Sequence, residues 1–173
     1  TGNFMADAVK GRDLSAHPPG VQEGIRLHRR IDVFTDQHPL TLAGRERLRA
    51  HCGKYAGVAL DLFYDHCIAL EWHSHSTEPL PRYARRMYTL LQAHAHLMPA
   101  RTQAMLPYLV RGDWLSGYAT LQGIGRALHG LSQRAPMAQG LSGAERVLAE
   151  HLPAYVEECT SFLRALRIEL HAP

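Results

Sequence analysis

The sequence predicts an all-α fold, a helical bundle, on three observations. Apolar residues recur at the three- and four-residue spacing of helices over most of the 173 residues. No stretch of four or more residues alternates convincingly, as a half-buried strand would. Pro and Gly fall where helices begin and end.

The elements follow in order. Asn3 to Val9 reads as a short helix closed by Gly11. Pro19 is pre-set for the first turn of a helix reaching about Thr35, and the run from Asp36 to Pro39 ends it. Leu40 to Cys52 makes a basic amphipathic helix stopped at Gly53. Tyr55 to about Ser74 is apolar on nearly every side, which marks the central, buried helix. After a loop at 77–81, Arg82 to Leu97 and Ala100 to Val110 are helical, and Asp113 caps a further helix behind Gly112. The stretch 134–143, rich in Gly, Ser and Pro, reads as the longest and most mobile loop. Ser142 to Leu170 is helical again, kinked or split by Pro153.

Length and composition bound the function. A chain of 173 residues with 46% hydrophobic content makes one domain, 1–173, with a full core. Three cysteines (Cys52, Cys67, Cys159) with no C-x-x-C spacing argue for a reduced, cytoplasmic protein. No apolar run approaches the roughly 18 residues of a membrane span, so no membrane partner is expected. No signal peptide is visible, but the chain opens at Thr1 without an initiator Met, so a short N-terminal segment is expected to precede it. The net charge is +3, carried almost entirely by arginine. These arginines cluster at Arg26, Arg29 and Arg30, at Arg45, Arg47 and Arg49, and at Arg82, Arg85 and Arg86. Each cluster is either a solvated helix face or a surface for phosphate or an acidic partner. With no basic tail, nucleic acid is not the expected partner.

Two helical segments carry the chemistry. At about 100° per residue, His28 and Asp32 share a stripe with Val21 and Ile25. Asp61 and Asp65 share one with Val58, Ile68 and Trp72, and His66 stands beside them. Carboxylates on apolar stripes are expected to be buried, and a buried carboxylate costs several kcal/mol unless it is paired or bound to a metal. His28 with Asp32 alone is also compatible with an ordinary His–Asp hydrogen bond. Asp61 and Asp65 are like charges one turn apart, which repel. Together with Asp7, these groups predict a metal site built from inward-facing ligands of several helices. Arg29 and Arg30 flank His28, so a phosphoryl group held between metal and guanidinium is expected, with water of lowered pKa as the nucleophile. Arg29, nearer to His28 around the helix, is the candidate catalytic arginine, and Arg30 a structural or partner contact.

Gly2-Asn-Phe-Met-Ala-Asp7, His28-Arg-Arg-Ile-Asp32 followed by Thr35-Asp36, and Asp61 with Asp65-His66 resemble the acyl carrier protein phosphodiesterase family, also called acyl carrier protein hydrolase. That family is a divergent branch of the HD phosphohydrolases, and the resemblance spans essentially the whole chain. It implies an HD-like helical bundle and hydrolysis of the phosphodiester that joins 4′-phosphopantetheine to a serine of holo acyl carrier protein. It also implies Mn²⁺ or Mg²⁺ as cofactor and a role in fatty acid biosynthesis and lipid metabolism. On this resemblance Asp7, His28, Asp65 and His66 carry over as metal or catalytic positions, with Asp32 and Asp61 supporting and His28 and His66 as catalytic histidines. The sequence departs from the HD pattern in one respect, because its dyad reads Asp65-His66 in reverse order. Arg30, Arg45, Arg49, Arg82 and Arg86 are the expected contacts to the acidic carrier protein, acting by electrostatic steering. The rival readings are an HD-type hydrolase of nucleotides such as guanosine tetraphosphate, and a non-catalytic helical adaptor for an acidic partner.

Overall fold

The computed structural model describes residues 1–134 and 136–171. Among them there are helices and short 3₁₀ turns and no strand, as the periodicity predicts. The helices are α1 (Gly2–Met5), α2 (Pro19–Gln37), α3 (Pro39–Cys52), α4 (Ala56–Leu70), α5 (Leu80–Ala93), α6 (Ala100–Arg111), α7 (Trp114–Gly117), α8 (Leu121–Ser132), α9 (Glu145–Glu150) and α10 (Leu152–His171).

Two apolar clusters hold them together. The larger gathers α3, α4, α8, α9 and α10 around Leu48, Phe63, Ile124, Leu148 and Tyr155. Its central strut is α4, apolar over nearly its whole circumference as its sequence requires. The smaller packs α1 and the first half of α2 on α5 and α6 through Met5, Ile25, Tyr88 and Leu106. α2 therefore runs from one cluster toward the other, and its C-terminal half meets α3 and the open side of α4.

Two glycines set the approach of the N-terminal segment to α2. A Cβ on Gly2 would lie 2.2 Å from the Val21 carbonyl oxygen, and one on Gly24 would lie 2.8 Å from the Asn3 nitrogen. Only bare backbone fits there, and the fit delivers the 3₁₀ turn Ala6–Ala8, with Asp7, onto the face of α2.

The element boundaries differ from expectation where a side chain ends or starts a helix. α2 continues through Asp36 to Gln37, because His38 alone makes the corner, its Nδ1 accepting from the Leu40 amide at 3.3 Å. Asp113 occupies the position before α7 at φ 43°, but its carboxylate accepts the Tyr88 hydroxyl at 2.9 Å instead of capping a backbone amide. Thr120 caps α8, its hydroxyl accepting from the Gly123 amide at 3.0 Å, and so separates two helices that the sequence reading joined. The expected loop at 134–143 is corrected too. Position 135 lies outside the described residues, but Pro136–Leu141 is a 3₁₀ helix that buries Ala138 and Leu141 in the larger cluster. Pro153 splits the last helix, with α9 ending before it and α10 carrying it in its first turn.

Candidate metal centre

His28 lies at the middle of α2, where the stripe that begins buried at Val21 and Ile25 leaves the core. Its Nε2 stands 3.1 Å from Asp7 Oδ1 and 3.3 Å from Asp32 Oδ2. One oxygen of each carboxylate and one nitrogen of the imidazole fall within 4.8 Å of one another. Asp7 arrives from the Ala6–Ala8 turn, and Asp32 follows one turn after His28 on α2. This is the one group of three such donors among the described residues. Its donor set, two carboxylates and an imidazole, is one that a divalent cation such as Mn²⁺ accepts.

The carboxylates on α4 lie beside this group. Asp61 is pushed up to about 6, first by the loss of water around it and then by the charges of Asp32, Asp36 and Asp7, with Arg45 opposing. Asp65 is pushed up to about 7, by desolvation and by the charge of Asp61. Yet neither is sealed in the core, since both side chains touch solvent. Asp61 feels the charges of Asp7, Asp32 and Asp36, and Asp65 that of Asp61, so the α4 carboxylates border the three donors on one solvent-open acidic hollow. The expectation of carboxylates buried along with their helix stripes is corrected accordingly: Asp32, Asp61 and Asp65 all face this hollow. Asp32 itself is raised, chiefly by desolvation, against the lowering influence of His28.

His66 goes the other way. It is 3% exposed, and its Nδ1 lies 2.7 Å from the Tyr118 carbonyl oxygen. A carbonyl can only accept, so Nδ1 carries a proton and the ring anchors α4 to the segment after α7. Neighbours on a helix diverge by about 100°, and here Asp65 faces the hollow while His66 faces the interior. The six donors expected to converge thus narrow to a group of three, with Asp61 and Asp65 alongside and His66 apart.

The arginines are also rearranged. Arg29 Nη2 donates to the Val9 carbonyl at 3.0 Å, which clamps the segment after Asp7 to α2. Arg30 pairs with Glu169, linking α2 to α10. Arg45 pairs with Asp36 at 2.6 Å and borders the hollow. Arg49 pairs with Glu46 on its own helix, while Arg82 and Arg86 both meet Glu78. Arg47 forms a two-point pair with Glu158, at 2.6 and 3.2 Å, over the Tyr155 ring. Arg30 and Arg45 therefore tie elements together, whereas Arg49, Arg82 and Arg86 stand on the surface.

Two participants escaped the sequence reading. Asp36 lies four residues beyond Asp32 on the same stripe, inside the helix because α2 continues past Thr35 to Gln37. Arg45 was assigned to a docking face, although its partner Asp36 turns it toward the hollow.

The chain matches the family model described as acyl carrier protein phosphodiesterase over residues 1–166. It is 34% identical over 151 residues to the acyl carrier protein phosphodiesterase of Photorhabdus laumondii, covering 87% of this chain and 76% of that one. It is 31% identical over 170 residues to the protein of that name from Enterobacter sp., covering 98% and 88%. With the Serratia proteamaculans protein of that name it shares 34% over 146 residues, covering 83% and 75%. No solved structure matches it. The chain belongs to the acyl carrier protein phosphodiesterase family.

Proposed function

We propose that this chain is a divalent-cation-dependent enzyme that hydrolyses the phosphodiester between 4′-phosphopantetheine and a serine of holo acyl carrier protein, giving apo carrier protein and 4′-phosphopantetheine. The observation that carries this reading is the meeting of Asp7, His28 and Asp32 at one point in a chain of this family. These three would hold the ion, and the imidazole favours Mn²⁺ over Mg²⁺. When bound, the ion supplies Lewis acidity to a phosphoryl oxygen and acidity to water.

The protein's own groups divide the remaining work. Asp65, raised to about 7, exchanges a proton near neutral pH, which suits it to take one from the attacking water or return one to the departing serine oxygen. Desolvation, and after it the charge of Asp61, keeps Asp65 raised. Arg29, through the Val9 carbonyl, fixes the segment that presents Asp7. Arg49, Arg82 and Arg86 supply surface charge for the acidic carrier protein, although each shares that charge with a neighbouring glutamate. Donors drawn from successive helices fit a divergent HD-type site, with Asp65 and His66 parted to opposite sides of α4. The cysteines Cys52, Cys67 and Cys159 are all free and buried, and no helix among the described residues is long and apolar enough to cross a membrane. The free cysteines support a place in the cytoplasm.

The test is mass spectrometry of holo acyl carrier protein incubated with the purified, chelator-stripped protein. Returning Mn²⁺ is expected to convert the carrier to its apo mass. A carrier whose mass stays unchanged with Mn²⁺ present contradicts the reading.

A further inference from the structure

Beside the hollow lies a second cavity that the chemistry above does not use. It has a volume of about 430 Å³ and walls formed by Leu62 of α4, Met105 and Leu109 of α6, Trp114, Tyr118 and Leu131 of α8. Its size falls in the range of ligand sites, roughly 300–1,000 Å³. Phe4, Met105 and Trp114 also wall an open hollow of about 800 Å³, and that hollow includes Asp7, Lys10 and Arg101. The path from Asp7 past two cationic side chains therefore adjoins an apolar chamber across these shared residues.

The order of chemistries along this path describes a ligand: an anionic group near Asp7 and the cations, followed by a chain that is mostly methyl and methylene. Resting on the phosphodiesterase reading, we infer that this chamber receives the pantetheine arm of the carrier protein while its phosphate lies at the Asp7–His28–Asp32 end. The gem-dimethyl group and methylenes of that arm pack on Leu62, Leu109 and Met105. Its amides can meet the polar edges of Trp114, Tyr118 and Arg126. The chamber is thereby a specificity site that distinguishes a pantetheinyl phosphodiester from other phosphodiesters.

The wall itself provides the probe. Gly130 of α8 lines the chamber, and a Cβ built there meets nothing within 4 Å. Gly130→Leu adds bulk at the chamber wall with no clash at its Cβ, and Leu is favoured over Gly within a helix. Ala127→Phe fills it from the preceding turn. Both variants, checked for native helicity by circular dichroism, are compared with wild type in two measurements. On holo carrier protein, KM is expected to rise about tenfold or more, with a smaller change in kcat. In calorimetric titration with pantetheine, wild type is expected to bind and both variants to lose binding. Wild-type KM and unchanged pantetheine binding in the folded variants overturn the inference. If wild type leaves holo carrier protein intact, the phosphodiesterase reading fails, and the titration still decides the chamber: binding that the plugs abolish supports it, and no binding overturns it. Titration with coenzyme A separates the two sources of this chain. Binding no tighter than that of 4′-phosphopantetheine, which carries the same anionic group, supports the carrier protein, whereas much tighter binding assigns the chamber to the nucleotide and overturns the inference.

Discussion

Helices α2 and α4 each present aspartates one turn apart to the same hollow, and they treat them differently. On α2, Asp32 has His28 at 3.3 Å and Asp36 has Arg45 at 2.6 Å. On α4, Asp61 has only the more distant charge of Arg45 in its favour, and Asp65 has no compensating cation at all. The result is that Asp61 and Asp65 are held up near 6 and 7. Desolvation raises Asp32 as well, but His28 opposes that rise, whereas nothing cationic opposes it at Asp65, the carboxylate better suited to exchange protons. In the proposed function this difference suits α2 and the Asp7 turn to cation binding and α4 to proton transfer.

The largest test of this division is Asp65→Asn. Losing a proton-transfer group is expected to lower kcat on holo carrier protein by about 10²–10⁴-fold. Steady-state turnover within a few fold of wild type would remove α4 from the chemistry. A smaller effect is expected at Arg29→Ala, which deletes a charged donor to the Val9 carbonyl. Such bonds contribute about 1.5–3 kcal/mol, and their loss lets Asp7 drift from His28. The expected readout is weaker Mn²⁺ binding in calorimetry together with a lower Tm. A fall in kcat alone, with binding and Tm intact, would instead place Arg29 on the substrate.

A third test uses pH. Asp65 is raised from 3.8 to about 7, so between these values the folded, metal-free chain holds a proton that the unfolded chain has released. Stability then falls as pH rises through that window and levels off above about 7. Asp65→Asn removes the penalty. Discounted for the solvent contact of the side chain, the gain at pH 8 is of order 1 kcal/mol, or about 2–4 °C in Tm, and it vanishes near pH 4. Thermal melts of the metal-free proteins at both pH values check this, and an equal Tm at pH 8 would mean that Asp65 is already ionised at no cost. The smallest effect belongs to the surface. Arg82→Glu with Arg86→Glu is expected to raise KM for carrier protein a few fold, more at low salt than at high salt, and to leave kcat nearly unchanged. Insensitivity of KM to both salt and charge would exclude steering by this face.

Much of this was legible in the residues. The all-helical class, α4 as the central strut and the pairing of His28 with Asp32 follow from periodicity, because a 3.6-residue repeat fixes which side chains share a face. The arrival of Asp7 was legible only as part of a motif, since the contact that brings it depends on backbone packing at Gly2 and Gly24. Burial was misread because a stripe tells which residues align and not where the helix leaves the core. Val21 and Ile25 are buried, while Asp32, two turns on from Ile25, opens to the hollow. The parting of Asp65 and His66 could be expected from 100° of helix rotation, but which side is core depends on Tyr118 and α8. The chamber behind Phe4 was not legible at all, for it forms where α1 and α4, distant in sequence, meet the consecutive helices α6, α7 and α8.

The central claim is that the cation belongs to Asp7, His28 and Asp32 and the proton to Asp65. Its most direct test is a Mn²⁺ titration followed by electron paramagnetic resonance on wild type, Asp32→Asn and Asp65→Asn in parallel. The account predicts that Asp32→Asn weakens Mn²⁺ binding by about tenfold or more, while Asp65→Asn binds within about threefold of wild type. Equal loss of Mn²⁺ in both variants would make Asp65 a ligand, and undiminished binding in Asp32→Asn would place the cation elsewhere; either result contradicts the account.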